Sequence, residues 1–279
     1  MPIAHVNGVD LYYEVTGEGT PLVWSHEFGG DFRSWEPQVR YFSRRHRVVT
    51  YNHRGYPPSS VPKAAAEYSQ DLLVADLHQL IRHLGLGPIH LGGCSMGANV
   101  ARDFALAHPD TVRSLILVGA GAGTVNREQF LNGQRATAEG LGREGIASLI
   151  RNFDALPQRA TFKRKDPRGF GEFLRLATEH DALACAHLAR EVMSKRKTVT
   201  ELESGLRALR VPTLIMVGDT DAPCVEPSLM MRALIPHSGL LVLPDCGHTP
   251  NIEEPALFNA HAAEFLAAVE AGRWAGAPS

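Results

Sequence analysis

Serine, aspartate and histidine, the residue types that turn a weak hydroxyl nucleophile into a strong one, occur here in a usable order: Ser95 between Gly93 and Gly97, an aspartate at 219 or 221, and His248. A serine hydroxyl attacks a carbonyl only if a base takes its proton, and that base needs a carboxylate to hold its tautomer and favour the imidazolium that forms. Nucleophile, acid, base along the chain is one known solution. With thirteen histidines present, one histidine alone says little. His248 stands out because it lies between Gly247 and Thr249-Pro250, after the last strand and directly before the closing helix. In Gly218-Asp219-Thr220-Asp221 the second aspartate reaches farther toward the rim where the histidine loop arrives, and Asp219 reads as a turn residue bonding to nearby amides.

The serine must be presented on a sharp bend. Ile89-His90-Leu91-Gly92-Gly93-Cys94 is a buried strand, and Ala98 to His108 carries apolar residues at helical spacing, so Ser95 stands where a strand turns into a helix. A hydroxyl there is pushed clear of both elements. The developing charge on an attacked carbonyl oxygen also needs donors, and the backbone N–H of Met96, at the helix start, and of Phe28, on the adjacent loop, are the candidates. One such donor is worth about 3 to 4 kcal/mol in the barrier. Cys94, beside the serine, reads as a small core residue because strand alternation turns it away.

Further strands are expected at Ile3 to Val6, Leu11 to Val15, Pro21 to Ser25, Arg47 to Tyr51, Val112 to Val118, Thr213 to Val217 and Gly239 to Leu243, the first two joined by the turn pair Asn7-Gly8. Helices are expected near Ser34 to Phe42, Tyr68 to Leu84 and Glu254 to Ala271. Alternating strands and helices predict an α/β fold with a mostly parallel eight-stranded sheet covered on both faces and its functional loops at the carboxyl ends of the strands. After Val118 the rhythm breaks, and helical patterns run without a strand until Val211. That stretch reads as a helical cap inserted after the sixth strand, so residues 1–122 and 209–272 form the core, 123–208 the cap and 273–279 a flexible tail. Phe130, Leu131, Leu149, Phe153, Phe170, Phe173 and Leu174 in the insertion suggest an apolar acyl or aryl pocket, and most of them equally suit packing between the helices.

Composition excludes other classes. Hydrophobic residues make up 44% and charged residues 21% of 279, and the formal net charge of −2 offers no field for a polyanion. The basic runs Arg44-Arg45-His46-Arg47 and Lys163-Arg164-Lys165 are short and separate, so no nucleic-acid partner is expected. No apolar stretch approaches the roughly 18 to 20 residues that cross a bilayer, so no membrane partner is expected either. Four cysteines without a close pair, and a start at Met1-Pro2-Ile3-Ala4-His5 with no apolar leader, suggest a cytoplasmic protein with reduced thiols, as a monomer or homodimer.

The His26 loop, Asn52-His53-Arg54-Gly55, Gly93-Cys94-Ser95-Met96-Gly97, Gly218-Asp219-Thr220-Asp221 and Gly247-His248 followed by Asn251-Ile252-Glu253-Glu254-Pro255 together resemble the α/β-hydrolase fold superfamily. The resemblance is to its esterase, lactonase and carbon–carbon-bond hydrolase branch with a serine nucleophile and a helical cap, and it runs over almost the whole chain. It implies Asp221 as the triad acid, His248 as the base, no cofactor, and a small-molecule ester or lactone as substrate; no metal is expected either, because no second ligand pair accompanies Cys246 and His248. A ketone or diketone ring-fission product is the alternative, for which Arg190 and the Arg127 region could hold a carboxylate. A non-catalytic ligand receptor on the same scaffold is the reading from another class. Relatives that open epoxides or cleave carbon–halogen bonds place aspartate where this chain has Ser95. Two departures stand out: Glu27 replaces the glycine usual after His26, in a structural or rim role or in contact with substrate, and Asn52 replaces an aspartate that would brace Arg54. His26, Glu27 and Gly29 are accordingly candidate pocket or rim residues.

Overall fold

Alternation of apolar runs and helical segments resolves into one eight-stranded sheet in the order β1-β2-β4-β3-β5-β6-β7-β8. The structure is a computed structural model and describes residues 2–274. The strands are β1 Ile3–Val6, β2 Val9–Thr16, β3 Thr20–Ser25, β4 His46–Tyr51, β5 Ile89–Cys94, β6 Val112–Val118, β7 Thr213–Gly218 and β8 Ser238–Leu243. β1 and β2 form the antiparallel ribbon, β2 pairs antiparallel with β4, and every later pairing is parallel. The chain runs from β3 outward to β4, then returns past β3 to β5. That reversal of direction leaves a crevice at the carboxyl ends of β3 and β5, where ligands bind in open α/β sheets.

Helices α1 Glu36–Phe42, α2 Gln70–His83 and α3 Met96–Ala107 connect the first strands; α4 Arg127–Glu144, α5 Ile146–Ala155, α6 Ala160–Lys165, α7 Pro167–Ala177, α8 Ala182–His187 and α9 Glu203–Ala208 lie between β6 and β7. α10 Ala222–Leu234, α11 Pro250–Glu253 and α12 Pro255–Glu270 complete the core. The sheet separates two apolar cores. One face packs Leu77, Leu91, Phe104 and Leu117 under α2 and α3; the other packs Trp24, Trp35, Ile116, Phe258 and Phe265 under α1 and α12. Trp24 and Trp35 stack with ring centroids 4.5 Å apart. At about 25 cal/mol per Å² of apolar surface, such aromatic burial is a principal stabilising term.

α10 was not legible as a helix because Pro223 and Pro227 interrupt its sequence; Pro223 falls in the first turn, where a missing N–H costs nothing. α9 falls within the segment expected to be cap, yet Gly205 rests near Leu106 of α3, so this helix packs on the core. The expected flexible tail is also partly fixed. Trp274 packs edge-on to Phe265 at 4.7 Å and donates its Nε1–H to His237 O at 3.1 Å, while residues 275–279 lie outside the described part. Asn52 does not leave Arg54 without a brace. Arg54 forms a two-pronged pair with Asp76 of α2, at 2.6 Å on each prong, and Asn52 instead accepts from Phe32 N–H at 2.8 Å.

Candidate active site

β5 ends at Cys94 and α3 begins at Met96, so Ser95 alone makes the reversal, at φ 52° and ψ −110°. A side chain occupies that left-handed region only under constraint, at a cost of about 1–3 kcal/mol. The bend is held from both sides: Ser95 N–H donates to Val118 O at 2.7 Å, and Ser95 O accepts from Asn99 Nδ2 at 2.7 Å. Close approach explains the flanking glycines. A Cβ on Gly93 would lie 2.4 Å from the Gly97 carbonyl, and one on Gly97 would lie 2.1 Å from Ser25 O.

The Ser95 hydroxyl meets His248 Nε2 at 2.8 Å, and His248 Nδ1 meets Asp221 Oδ2 at 2.7 Å. Because a carboxylate only accepts, Nδ1 carries the proton and Nε2 keeps its lone pair for the serine hydroxyl. Asp221, fully buried, stands at the start of α10. Asp219 is turned elsewhere, accepting from Cys246 N–H at 3.1 Å. Glu253, not singled out in the sequence, clamps the histidine loop: it accepts from Gly247 N–H at 2.7 Å and Thr249 N–H at 2.8 Å. His248 N–H, between them, donates to Gln158 O of the insertion at 3.0 Å. Three consecutive amides are thus fixed, and with them the imidazole.

His26 does not reach the cavity, contrary to expectation. It is fully buried, accepts from His53 N–H through Nε2 at 3.1 Å and donates from Nδ1 to Glu27 O at 2.8 Å. Burial holds its pKa down at about 4. Glu27 O also accepts from Gly30 N–H at 3.3 Å. In a trans peptide the N–H points opposite to the C=O, so fixing the Glu27 carbonyl fixes the direction of the Phe28 N–H. Met96, at the first position of α3, has an N–H that no intrahelical acceptor can take.

Cap and core enclose a cavity of about 950 Å³ whose walls include Glu27, Phe28, Gly29, Ser95, Asp221 and His248. Glu27 is a buried wall residue and not a rim residue, 1% exposed, with Oε1 accepting from Ser34 Oγ at 3.3 Å and Oε2 without a hydrogen-bond partner among the described residues. Burial raises its carboxyl pKa, and the guanidinium of Arg159 is the main opposing influence. Gly29 passes beneath the cap so closely that a Cβ there would meet Phe153 at 2.8 Å and Phe173 at 2.9 Å.

The expected apolar pocket is only half right. Phe130, Leu149 and Phe153 line the cavity, whereas Leu131, Phe170, Phe173 and Leu174 do not. Phe170 and Phe173 pack with Phe162 between α6 and α7. The cationic residues differ too: Arg190 faces a separate small pocket and Arg127 is tied to Ser194 O at 2.7 Å. Arg159 and Arg196, both buried, line the main cavity instead. Arg159 lies 4.3 Å from the Phe173 ring centroid and donates to Thr249 Oγ1 at 3.2 Å; Arg196 lies 5.0 Å from that of Phe130 and donates to Ala122 O at 3.1 Å. Arg159 follows Pro157 in a break between cap helices, a place where sequence patterning gives no direction for a side chain.

Residues 20–255 match the family model of the alpha/beta hydrolase fold, a span that holds the sheet from β3 onward, the cap and all three residues of the relay. The chain belongs to the alpha/beta hydrolase fold family. This hydrolase is 28% identical over 269 residues to a protein of Azorhizobium caulinodans provisionally named carbamate hydrolase RutD, covering 93% of this chain and 96% of that one. It is 29% identical to a thermophilic esterase from Thermogutta terrifontis, solved with malate bound, with a TM-score of 0.86 over 96% of this chain and 98% of the other. The fold also matches the enol-lactonase from Burkholderia xenovorans, with a TM-score of 0.82 at 23% identity over 95% of this hydrolase and 100% of that chain.

Proposed function

We propose that this hydrolase cleaves a small carboxylic ester or lactone through an acyl-serine intermediate. The observation that carries the reading is the relay of 2.8 and 2.7 Å from Ser95 through His248 to Asp221, opening on one cavity. His248 Nε2 takes the Ser95 proton as Oγ bonds to the carbonyl carbon, and the N–H groups of Phe28 and Met96 receive the oxyanion. Collapse breaks the bond to the leaving oxygen, which takes the proton from Nε2 and departs as an alcohol, or stays tethered if the substrate was a lactone. Water then gives its proton to Nε2 and its oxygen to the acyl carbon; Ser95 leaves and is reprotonated. Ester and water become acid and alcohol, and the protein returns to its starting state. The names of the esterase and the carbamate hydrolase among its relatives support acyl-transfer chemistry of this kind.

A second reading, cleavage of a carbon–carbon bond beside a ketone in a carboxylated substrate, is favoured by Arg159 and Arg196 on the cavity wall. A panel of chromogenic short-chain esters and lactones, with and without a free carboxylate, separates the two. Turnover of neutral esters that falls at least about 10³-fold in Ser95→Ala is the expected result. Turnover retained in that variant would overturn the first reading, and cleavage confined to a vinylogous diketone acid would favour the second.

A further inference from the structure

Three residues far apart in sequence meet at the opposite end of the sheet from Ser95. His46 opens β4, His90 is the second residue of β5, and Glu270 ends α12. Glu270 Oε1 lies 3.3 Å from His90 Nε2 and 3.6 Å from His46 Nε2, and one donor atom from each residue falls within 4.8 Å of the others. Both imidazoles are buried, and among the described residues neither ring nitrogen of His46 has a hydrogen-bond partner. An imidazole left so is costly unless something completes it.

His90 is oriented from behind, with Nδ1 2.7 Å from Ser114 Oγ. Without an ion, Nε2–H donates to the Glu270 carboxylate at 3.3 Å; with Nδ1–H turned onto Ser114 Oγ instead, Nε2 offers its lone pair to a cation held between the ring and that carboxylate. A second group fixing the far nitrogen of a ligating histidine is a usual feature of metal sites. Tetrahedral zinc with bonds of about 2.0–2.1 Å places its donors about 3.3–3.4 Å apart, close to the two separations found here. Glu270, about a third exposed, gives an ion a way in from solvent; Arg113 is the opposing charge near His90.

We propose that His46, His90 and Glu270 form a binding site for a divalent transition-metal ion of the zinc type, which clips α12 to β4 and β5 and takes no part in the reaction at Ser95. Imidazole and carboxylate donors suit zinc, with water as the fourth ligand.

The test is titration of the chelator-treated full chain with zinc, and with cobalt as a spectroscopic stand-in, following Tm and ester turnover in wild type, Glu270→Gln and His46→Gln. The proposal expects one equivalent bound, a Tm rise of about 5 °C at a hundredfold excess over Kd, and affinity at least about tenfold weaker in Glu270→Gln. Glu270 is partly exposed, so its variant keeps the test alive if His46→Gln fails to fold. Turnover should be the same with and without the ion. Absence of binding in wild type, or binding unchanged in Glu270→Gln, would overturn the proposal. So would binding that blocks turnover, since the ion would then sit on Asp221, Cys224 and His248.

Discussion

His26 touches neither Ser95 nor the cavity, yet it fixes the direction of the Phe28 N–H, one of the two donors proposed for the oxyanion. Its ring links His53 N–H to the Glu27 carbonyl, and that carbonyl fixes the peptide whose N–H belongs to Phe28. Replacing it by glutamine loses the paired contacts at fixed spacing. His26→Gln should lower kcat about 10- to 100-fold with KM changed less than threefold, measured on one ester with folding checked by circular dichroism. A change in KM alone would assign His26 a packing role. That Ser95, His248 and Asp221 meet was legible because their types, order and flanking glycines are all constrained by one bend and one loop. The function of His26 was not, because a histidine after a strand looks the same whether its ring faces the pocket or a carbonyl beneath it. Glu27 shows the same limit: its presence was visible, its burial within the field of Arg159 was not.

Among the elements, β5 and α3 read directly from the sequence, since an apolar strand followed by helical spacing leaves Ser95 no other place. The cap was legible as an interruption of the strand rhythm. Its lining was not, because helical spacing shows which residues are apolar but not which side of a helix meets a neighbouring helix and which meets a cavity. Phe170 and Phe173 therefore fill the cap's own core, while Gln129, Gln134 and Asn152 share the cavity wall with Phe130 and Phe153. The clamp on the histidine loop is likewise a contact between elements. Glu253 of α11 and Gln158 of the insertion together hold residues 247 to 249, so cap and core both position His248.

Across the whole molecule, several histidines are kept neutral by burial. His26 and His90 are held at about 4, and His53 lies well below its usual value. In the unfolded chain each takes up a proton near pH 6.5, so between about 6.5 and 4 the unfolded state binds more protons than the folded one. The stability these groups contribute is complete above pH 6.5 and is lost as pH falls, at about 1.4 kcal/mol per unit for each histidine. The urea midpoint should therefore drop clearly from pH 7 to pH 5, and an unchanged midpoint would contradict the burial of these rings. The sequence gives the number of histidines but not their depth, so this property was invisible until the sheet and its covering helices were in place. The proposed nucleophile is one oxygen atom, Ser95 Oγ. Treatment with a fluorophosphonate ester followed by peptide mass mapping should place a single adduct on Ser95, with none formed in Ser95→Ala or His248→Ala; an adduct on another residue, or none in wild type, would contradict the account.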